Sequence, residues 1–229
     1  MMRSKELVRE LCIKNNWDFS LFEAYVNLIE EKNKVMNLTG FSDERLWNEG
    51  IYESLVFMIE ITKDLQSGTI LDIGAGAGFP SIPYVLTKPK NKVVIYEPLL
   101  KRVNFLNEVI EKLNLSDYVS VYKYRAEDVN ETNQFDVVTA RAVATVKALS
   151  MAALHLVKIN GSLSLLKGKK ANEELNDAKS VLKDVKVQYL VKPFIDENID
   201  RENYIVSIKK LENTPKRFPY LWKDIKKAN

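Results

Sequence analysis

The stretch ILDIGAGAGFPSIP, residues 70–83, decides the fold class of this chain. It places three glycines within five positions, directly after an apolar run that contains Asp72. Ordering a glycine costs more backbone entropy than ordering any other residue, so a plain turn would not need three of them. The stretch therefore predicts a strand followed by a loop whose backbone lies against a ligand. A strand-to-helix turn without a ligand is the alternative.

Short β-rich runs alternate with helix-like segments from residue 69 onward. The strand-like runs are TILDIG, KVVIYEP, VSVYKY, FDVVTARA, SLSLLKG, KVQYLVK and YIVSIKKL. Most of the segments between them have apolar residues at helical spacing. This alternation is typical of βαβ units, and it predicts an α/β fold with a seven-stranded, mostly parallel sheet.

Two helical patterns precede the first strand. Ser20 and Glu23 have the spacing of a capping box and predict a helix over residues 20–36. The second pattern follows the segment NLTGFSD and contains Gly50 as a weak point. We expect these helices to form a cap that belongs to the same structural unit as the sheet. The predicted divisions are a cap at residues 1–66, an α/β domain at 67–213 and a basic, aromatic tail at 214–229.

Length and composition exclude several classes of protein. A chain of 229 residues with 46% hydrophobic content fits one full-sized domain with an extension. Its apolar runs are far shorter than the roughly 20 residues that span a bilayer, and the first residues lack the apolar stretch of a signal peptide. A single cysteine, Cys12, and a single histidine, His155, argue against a disulfide framework and against a Cys/His metal site. We expect a cytoplasmic protein without a membrane or metal partner.

The spacing of Gly74, Gly76 and Gly78 separates the candidate ligands. A dinucleotide fingerprint needs glycine at its sixth position, where this chain has Phe79. A phosphate loop is excluded because no Lys-Ser or Lys-Thr pair follows. The remaining pattern, D-x-G-x-G-x-G, is the arrangement seen in class I methyltransferases that bind S-adenosylmethionine.

Other strand ends supply candidate partners for that cofactor. Glu97 ends the second predicted strand and can accept hydrogen bonds from both ribose hydroxyls, although a solvated carboxylate there is the alternative. Ala126 and Glu127 follow the third strand and can meet the adenine ring. The segment FDVVTARAV places Asp136 through Arg141 along the carboxyl edge of the sheet. Arg141 can contact the cofactor, a nucleic-acid phosphate or a surface carboxylate.

The absence of certain motifs narrows the range of possible methyl acceptors. Methylation of an exocyclic amine usually goes with an Asn/Asp-Pro-Pro-aromatic turn after the fourth strand, and this chain has TARAV there. Attack through carbon five of a pyrimidine needs a nucleophilic cysteine, yet Cys12 lies in the N-terminal extension. Guanine N7 carries a nucleophilic lone pair, so alignment with the methyl group can supply most of the catalysis. We assign no catalytic residue, and we expect His155 to be a core or partly exposed histidine of an apolar helix.

The end of the chain combines cations with aromatic residues. Between residues 209 and 227 only Glu212 and Asp224 oppose the positive charges, and Phe218, Tyr220 and Trp222 lie among them. The cations are Lys209, Lys210, Lys216, Arg217, Lys223, Lys226 and Lys227. Such a segment suits single-stranded or looped RNA, with an ordinary basic tail as the alternative.

A larger set of segments, in this order and at these distances, closely resembles one family. The segments are NLTGFSD, YESL, LDIGAGAGFPSIP, LLKRVNFL, RAED, FDVVTARAVA, LLKG and NTPKRFP. Over about residues 25–219 the chain resembles the bacterial small-subunit ribosomal RNA guanine-N7 methyltransferases, also known as glucose-inhibited division protein B. The resemblance implies a class I, Rossmann-like fold and S-adenosylmethionine as cofactor. It also implies methylation of a guanine of 16S rRNA, in the 530-loop region.

The same resemblance implies roles for individual residues. Together with Gly76 and Glu97, the predicted cofactor contacts are Gly74, Phe79, Ala126, Glu127 and Arg141. The resemblance also places Lys101 and Arg102 at the edge of the site as predicted RNA contacts, and the basic, aromatic end of the chain adds Lys216, Arg217 and Tyr220. We expect a monomer whose partner is 16S rRNA or the small ribosomal subunit.

Two segments depart from the family pattern. Glu49 and Gly50 stand where the family commonly has Lys or Arg followed by His, and the usual YPRKPG ending is replaced from Phe218 by FPYLWKDI. These segments leave two alternatives open: methylation of a different RNA site, and a non-catalytic protein that binds S-adenosylmethionine.

Overall fold

The computed structural model of the protein describes residues 3–228. The helices are α1 (Arg3–Asn15), α2 (Phe19–Asn33), α3 (Asp43–Arg45), α4 (Glu53–Thr62), α5 (Ser81–Val85), α6 (Leu100–Lys112), α7 (Val146–Ala153), α8 (Ala171–Leu182) and α9 (Trp222–Ile225). The strands are β1 (Thr69–Ile73), β2 (Lys92–Tyr96), β3 (Val119–Tyr122), β4 (Phe135–Arg141), β5 (Val157–Lys167), β6 (Val187–Phe194) and β7 (Asn203–Lys210). A π-helical segment covers Leu46–Tyr52, and 3-10 turns cover Ala126–Asp128, Leu154–Leu156 and Lys226–Ala228.

The seven strands form one sheet in the order β3-β2-β1-β4-β5-β7-β6. Strand β2 is parallel to β3, and β4 is parallel to both β1 and β5. Only β7 runs against its neighbours, β5 and β6. Every run predicted from the sequence as a strand forms one, and the predicted mostly parallel α/β sheet is confirmed.

The chain divides into two compact units. The first comprises Met1–Ser67 with Ala75–Lys123, and the second comprises Gly68–Gly74 with Tyr124–Asn229. In the first unit α2 buries Phe22, Val26 and Ile29, whose spacing of three or four residues places them on one helix face. In the second unit the central strands contribute an apolar core that includes Val138, Leu165 and Val206.

The helix predicted at residues 20–36 begins and ends earlier than expected. It starts at Phe19 because Asp18, rather than Ser20, is the N-cap. The Asp18 carboxylate accepts the Ser20 N–H at 3.0 Å and the Ser20 hydroxyl at 2.6 Å, so the serine cannot act as the cap itself. The helix ends at Asn33, whose side-chain oxygen accepts the N–H of Leu38 at 3.0 Å and turns the chain away.

Helix α1 was not predicted from the sequence. Its charged residues hide the apolar pattern, yet Val8 and Cys12, one helical turn apart, are both buried. None of the helices within residues 3–228 is long and apolar enough to cross a membrane.

The predicted tail, residues 214–229, contains ordered segments that contact the second unit. The Tyr220 N–H donates to the Met151 carbonyl at 3.1 Å, and the Thr145 hydroxyl donates to the Ala228 carbonyl at 2.6 Å. Phe218 and Ile225 are buried. These contacts hold the end of the chain against the region of α7.

His155 and Lys210 are two polar residues within the core of the second unit. His155 lies in a 3-10 turn and is buried, which confirms that it is a core residue, and its Nε2 lies 2.8 Å from the Val129 carbonyl. Lys210 is also buried and donates to three backbone carbonyls, those of Leu154, His155 and Val157. Burial, with the Lys210 charge adding to it, lowers the pKa of His155 from 6.5 to about 4. His155 is therefore neutral at physiological pH.

This pKa predicts how acid affects stability. Between pH 6.5 and 4 the unfolded chain binds a proton at His155 that the folded chain does not bind, so the free energy of unfolding must fall as the pH falls. The His155 contribution to that fall is about 3 kcal/mol across the window. In urea unfolding at several pH values, the free energy of unfolding should fall more steeply with falling pH for the wild type than for His155→Gln. The variant is a suitable control because every carboxylate still titrates in it. Identical slopes for the two proteins would contradict the assignment.

Candidate functional site

In the first unit, the glycine loop is tied to the end of β2 through Glu97. The Gly76 N–H donates to Glu97 Oε2 at 3.0 Å, and the Leu99 N–H donates to Oε1 at 3.0 Å. Glu97 is only 1% exposed, and Arg102 Nη1 lies 4.0 Å from Oε2. A buried carboxylate needs such donors, because an unpaired buried charge is costly. Glu97 is thus a structural part of the loop, not a solvated strand end.

Gly78 serves the packing of this loop. Its φ is +112°, and a Cβ atom there would lie 2.5 Å from Ile82 Cγ1 and 2.7 Å from Tyr25 Oη. The same Tyr25 hydroxyl donates to the Ala77 carbonyl at 2.7 Å. Sequence reasoning missed Tyr25 as an anchor of the loop, since it is one of several apolar positions on α2.

Phe79 is buried in the first unit, where it lies in an aromatic cluster. Its ring centroid is 6.1 Å from that of Phe41. A Cβ atom on Gly50 would lie 2.9 Å from Phe79 Cζ, so a residue larger than glycine would displace this ring. The preceding Glu49 forms an ion pair with Arg45 at 2.8 Å. Gly50 therefore leaves the space that the Phe79 ring occupies.

In the second unit, Gly74 follows β1 and faces the loop that follows β4. Its φ is +67°, and a Cβ atom there would lie 3.0 Å from Val143 Cγ2. Arg141 is the last residue of β4 and is half-buried. Ala142 has a φ of +53°, which residues with a Cβ rarely adopt. Such local strain is concentrated at functional sites.

A lysine and a glutamate hold the loop after β4 in place. Lys167 Nζ donates to the Ala144 carbonyl at 2.5 Å and pairs with Glu174 Oε2 at 2.8 Å. The same Glu174 oxygen accepts the N–H of Val146, the first residue of α7, at 2.9 Å. The sequence offered a signal for Lys167, a lone cation at the end of an apolar strand in LLKG, but gave no sign of Glu174.

Asp136 was predicted to lie at the carboxyl edge of the sheet, and this prediction was wrong. It is the second residue of β4, and its Oδ2 accepts the N–H of Thr69, the first residue of β1, at 2.8 Å. Lys158 pairs with the same oxygen at 2.8 Å. These contacts lower the pKa of Asp136 despite its partial burial, so the residue is an ionised structural link at the amino end of two parallel strands.

The turn after β3 presents an acceptor without a donor. Ala126 is buried, and Glu127 Oε1 receives no hydrogen bond from any residue in the range 3–228. Arg125 Nη1 lies 3.8 Å from this oxygen, beyond hydrogen-bond distance. Burial raises the pKa of the Glu127 carboxyl. Because Glu127 Oε1 has no donor among residues 3–228, this oxygen can accept a hydrogen bond from a ligand.

The residues predicted to contact RNA differ in their availability. Lys101 and Lys216 are exposed. Arg217 instead donates to the Tyr220 hydroxyl at 2.8 Å and to Asp184 at 2.9 Å. Half-buried Tyr220 therefore has a partner within the protein.

The side chains of residues 3–228 provide neither a reactive thiol nor a cluster of metal ligands. Burial, with the Asp18 charge adding to it, raises the pKa of the Cys12 thiol to about 11, so the residue stays protonated. No cluster of three or more His, Cys, Asp or Glu side chains suited to a metal ion occurs within residues 3–228.

Solved structures identify the class of fold. The chain matches a SAM-dependent methyltransferase from Aquifex aeolicus with a TM-score of 0.53 and 22% identity, covering 74% of this chain and 94% of that one. It matches a tRNA (m1A58) methyltransferase from the same organism with a TM-score of 0.51 and 15% identity, covering 69% of each chain. The fold is therefore that of a class I, Rossmann-like S-adenosylmethionine-dependent methyltransferase.

Sequence comparison identifies the family within this class. The family model described as "GidB: rRNA small subunit methyltransferase G" matches residues 18–204. Proteins named ribosomal RNA small subunit methyltransferase G are 38% identical in Mycoplasmopsis pulmonis, over 90% of both chains, and 38% identical in Lactobacillus acidophilus, over 95% of both. The chain belongs to the GidB family. It is an S-adenosylmethionine-dependent ribosomal RNA methyltransferase.

The geometry of Gly78 predicts a large effect on stability. Gly78→Ala combines a positive φ with steric overlap against Ile82 and Tyr25, so it should lower the free energy of unfolding by about 2–4 kcal/mol. Gly40→Ala is the matched control, because nothing lies within 4 Å of its added Cβ. Urea unfolding of the two variants compares their free energies of unfolding. Equal stabilities would show that Gly78 does not serve packing.

Proposed function

We propose that this protein transfers the methyl group of S-adenosylmethionine to N7 of a guanine in the 530-loop region of 16S rRNA. Family membership and the names of its relatives support the reaction class and the substrate. The observation that carries the proposal is the buried Glu97 carboxylate, which is bonded to the glycine loop and retains acceptor capacity for a ribose. The 530-loop region follows from the family resemblance of the sequence.

The residues present fit this cofactor. A carboxylate offers about four acceptor sites, and two backbone N–H groups within residues 3–228 donate to Glu97, so acceptor capacity is left for the two ribose hydroxyls. Glu127 Oε1 is an acceptor suited to the exocyclic amine of adenine. Bare backbone at Gly76 leaves space for the methionine part, since a Cβ atom there would lie 3.9 Å from Arg102 Nη1. The proposed cofactor contacts are Gly74, Gly76, Phe79, Glu97, Ala126, Glu127 and Arg141.

These residues act by positioning the cofactor relative to guanine N7. S-adenosylmethionine supplies a methyl group that is activated by its positively charged sulfur. Glu97 orients the ribose, and the glycine backbone fixes the direction of the methyl group. Guanine N7 needs no deprotonation, so holding the two atoms in line can supply most of the rate enhancement.

The state of His155 and Cys12 agrees with this chemistry. His155 is buried and cannot reach a substrate, and Cys12 is a buried, protonated thiol. The end of β4 and the loop after it read ARAVA, residues 140–144, and lack the Asn/Asp-Pro-Pro-aromatic turn of amine methyltransferases. Each point disfavours an acceptor that requires a base or a nucleophile, and N7 requires neither.

Several finer features are part of the proposal. The protein acts as a cytoplasmic monomer on 16S rRNA or on the small subunit, with a cap at residues 1–66, a methyltransferase domain at 67–213 and a tail at 214–229. The proposed RNA contacts are Lys101, Arg102, Lys216, Arg217 and Tyr220. Methylation of another RNA site is the alternative to the 530-loop region.

Cofactor binding should depend on the Glu97 charge. Hydrogen bonds to charged groups contribute about 1.5–3 kcal/mol, so Glu97→Gln should weaken S-adenosylhomocysteine binding by roughly 10- to 100-fold in calorimetry. Glu108→Gln in the same unit is the control, because Glu108 pairs only with Lys32 and Lys112 among the contacts of the first unit. If Glu97→Gln is folded and binds as tightly as the control, Glu97 does not hold the ribose.

The methylated nucleotide tests the reaction itself. Incubation of the protein with unmethylated small subunits and labelled S-adenosylmethionine should label one guanine of the 530-loop region. Borohydride reduction followed by aniline cleavage should then cut the RNA at that guanine, as N7 methylation requires. Label at another nucleotide would support the alternative RNA site, and cofactor binding without label would support a non-catalytic protein.

A further inference from the structure

The three aromatic residues of the tail have different environments. Phe218 is buried, and Tyr220 is half-buried, with its hydroxyl accepting from Arg217 at 2.8 Å. Their rings pack edge to face with centroids 5.0 Å apart. Trp222, the first residue of α9, is 48% exposed. Trp222 is therefore the tail aromatic with a large surface available to a ligand.

Arg125 lies against the ring of Trp222. Its guanidinium carbon is 4.5 Å from the ring centroid, which is the geometry of a cation–π contact. The Arg125 side chain is itself 43% exposed. The contact holds the indole in one orientation while leaving both groups accessible.

The pair is connected to the turn proposed to contact adenine. Arg125 directly precedes the Ala126–Asp128 turn, and its Nη1 lies 3.8 Å from Glu127 Oε1. An RNA segment that rests on Trp222 would therefore lie near that turn. Lys226 and Lys227, exposed on the turn after α9, add positive charge to the same end of the chain.

The chemistry of this surface suits unpaired RNA. Bases that are not paired stack on aromatic side chains and on arginine planes, and nearby lysines attract the phosphates. We propose that Trp222 and Arg125 form a stacking platform for an unpaired nucleobase of the rRNA substrate, with Lys226 and Lys227 contacting its phosphates. The inference rests on the proposed function and adds Trp222, which is more exposed than Tyr220, to the proposed RNA contacts.

Replacement of Trp222 tests the platform. Loss of one base stack should weaken binding of unmethylated 16S rRNA by about 5- to 30-fold in Trp222→Leu and raise KM for that RNA more than it lowers kcat. Trp222→Phe, which keeps an aromatic ring, should recover most of the affinity. Tyr189→Leu is the matched control, because Tyr189 is 46% exposed and carries Lys179 over its ring at 5.3 Å. RNA affinity of Trp222→Leu equal to that of the control would overturn the proposal.

Salt dependence separates stacking from charge. Each phosphate contact to a single strand contributes about 0.7 to the slope of log affinity against log salt. Trp222→Leu should therefore keep the wild-type slope, whereas Lys226→Gln with Lys227→Gln should reduce it by about 1.4. A reduced slope in Trp222→Leu would indicate that the variant displaces the lysines, and it would overturn stacking as the cause.

A purely structural role for Trp222 predicts a different result. If the indole only holds the tail, tryptophan fluorescence should not respond to RNA differently in wild type and Trp222→Phe. In a Trp17→Phe background, which removes the emission of half-buried Trp17, the platform predicts quenching by 16S rRNA that is largely lost when Trp222→Phe is added, since Trp47 is buried. Equal quenching in both proteins would overturn it.

The same experiments separate the platform from the proposed function. If the wild type labels no guanine in small subunits, the proposed function fails, whatever Trp222 does. If the wild type methylates its guanine and Trp222→Leu matches the Tyr189→Leu control in KM, only the platform fails. S-adenosylhomocysteine affinity should be the same in all these variants, which checks that the cofactor site is intact.

Discussion

The buried carboxylate of Glu97 is the constraint on which the proposed site depends. Its two oxygens each accept one backbone N–H, from Gly76 and from Leu99. Removing a charge from water is costly, and these donors offset part of that cost. The same bonds fix the glycine loop against the end of β2. The remaining acceptor capacity is what a ribose with two adjacent hydroxyls requires.

The three glycines of the loop have separate physical roles. Gly76 has a positive φ and brings its N–H to Glu97, whereas Gly78 leaves room for Ile82 and Tyr25. Gly74 leaves room for Val143. One compact motif in the sequence thus combines a hydrogen-bond donor at Gly76 with close packing at Gly74 and Gly78. This division explains why glycine is required at alternate positions, although no single interaction requires all three.

Much of the fold could be predicted because strands and helices leave periodic patterns. All seven strands followed from alternating runs, and the ligand class followed from the glycine spacing. Helix boundaries were less accessible, since Asp18 and Ser20 are both good caps and only their mutual hydrogen bonds decide between them. Asp136 was misplaced because the whole run from Asp136 to Arg141 was assigned to the carboxyl edge, although Asp136 is the second residue of β4 and lies at its amino end.

Contacts between distant residues could not be predicted at all. The pairing of Lys167 with Glu174 and the position of Gly50 beside Phe79 depend on how the elements pack. The tail shows the same limit, because three aromatics at alternate positions look equivalent in the sequence. Phe218 is buried, and the Tyr220 hydroxyl is hydrogen-bonded to Arg217. Trp222, by contrast, is exposed and lies against Arg125.

The most direct test of the Glu97 site is a crystal structure of the protein with S-adenosylhomocysteine. We predict that the Glu97 oxygens lie about 2.5–3.0 Å from both ribose hydroxyls while keeping the N–H groups of Gly76 and Leu99. Ribose hydroxyls directed to solvent, with Glu97 bonded only to the backbone, would contradict the account.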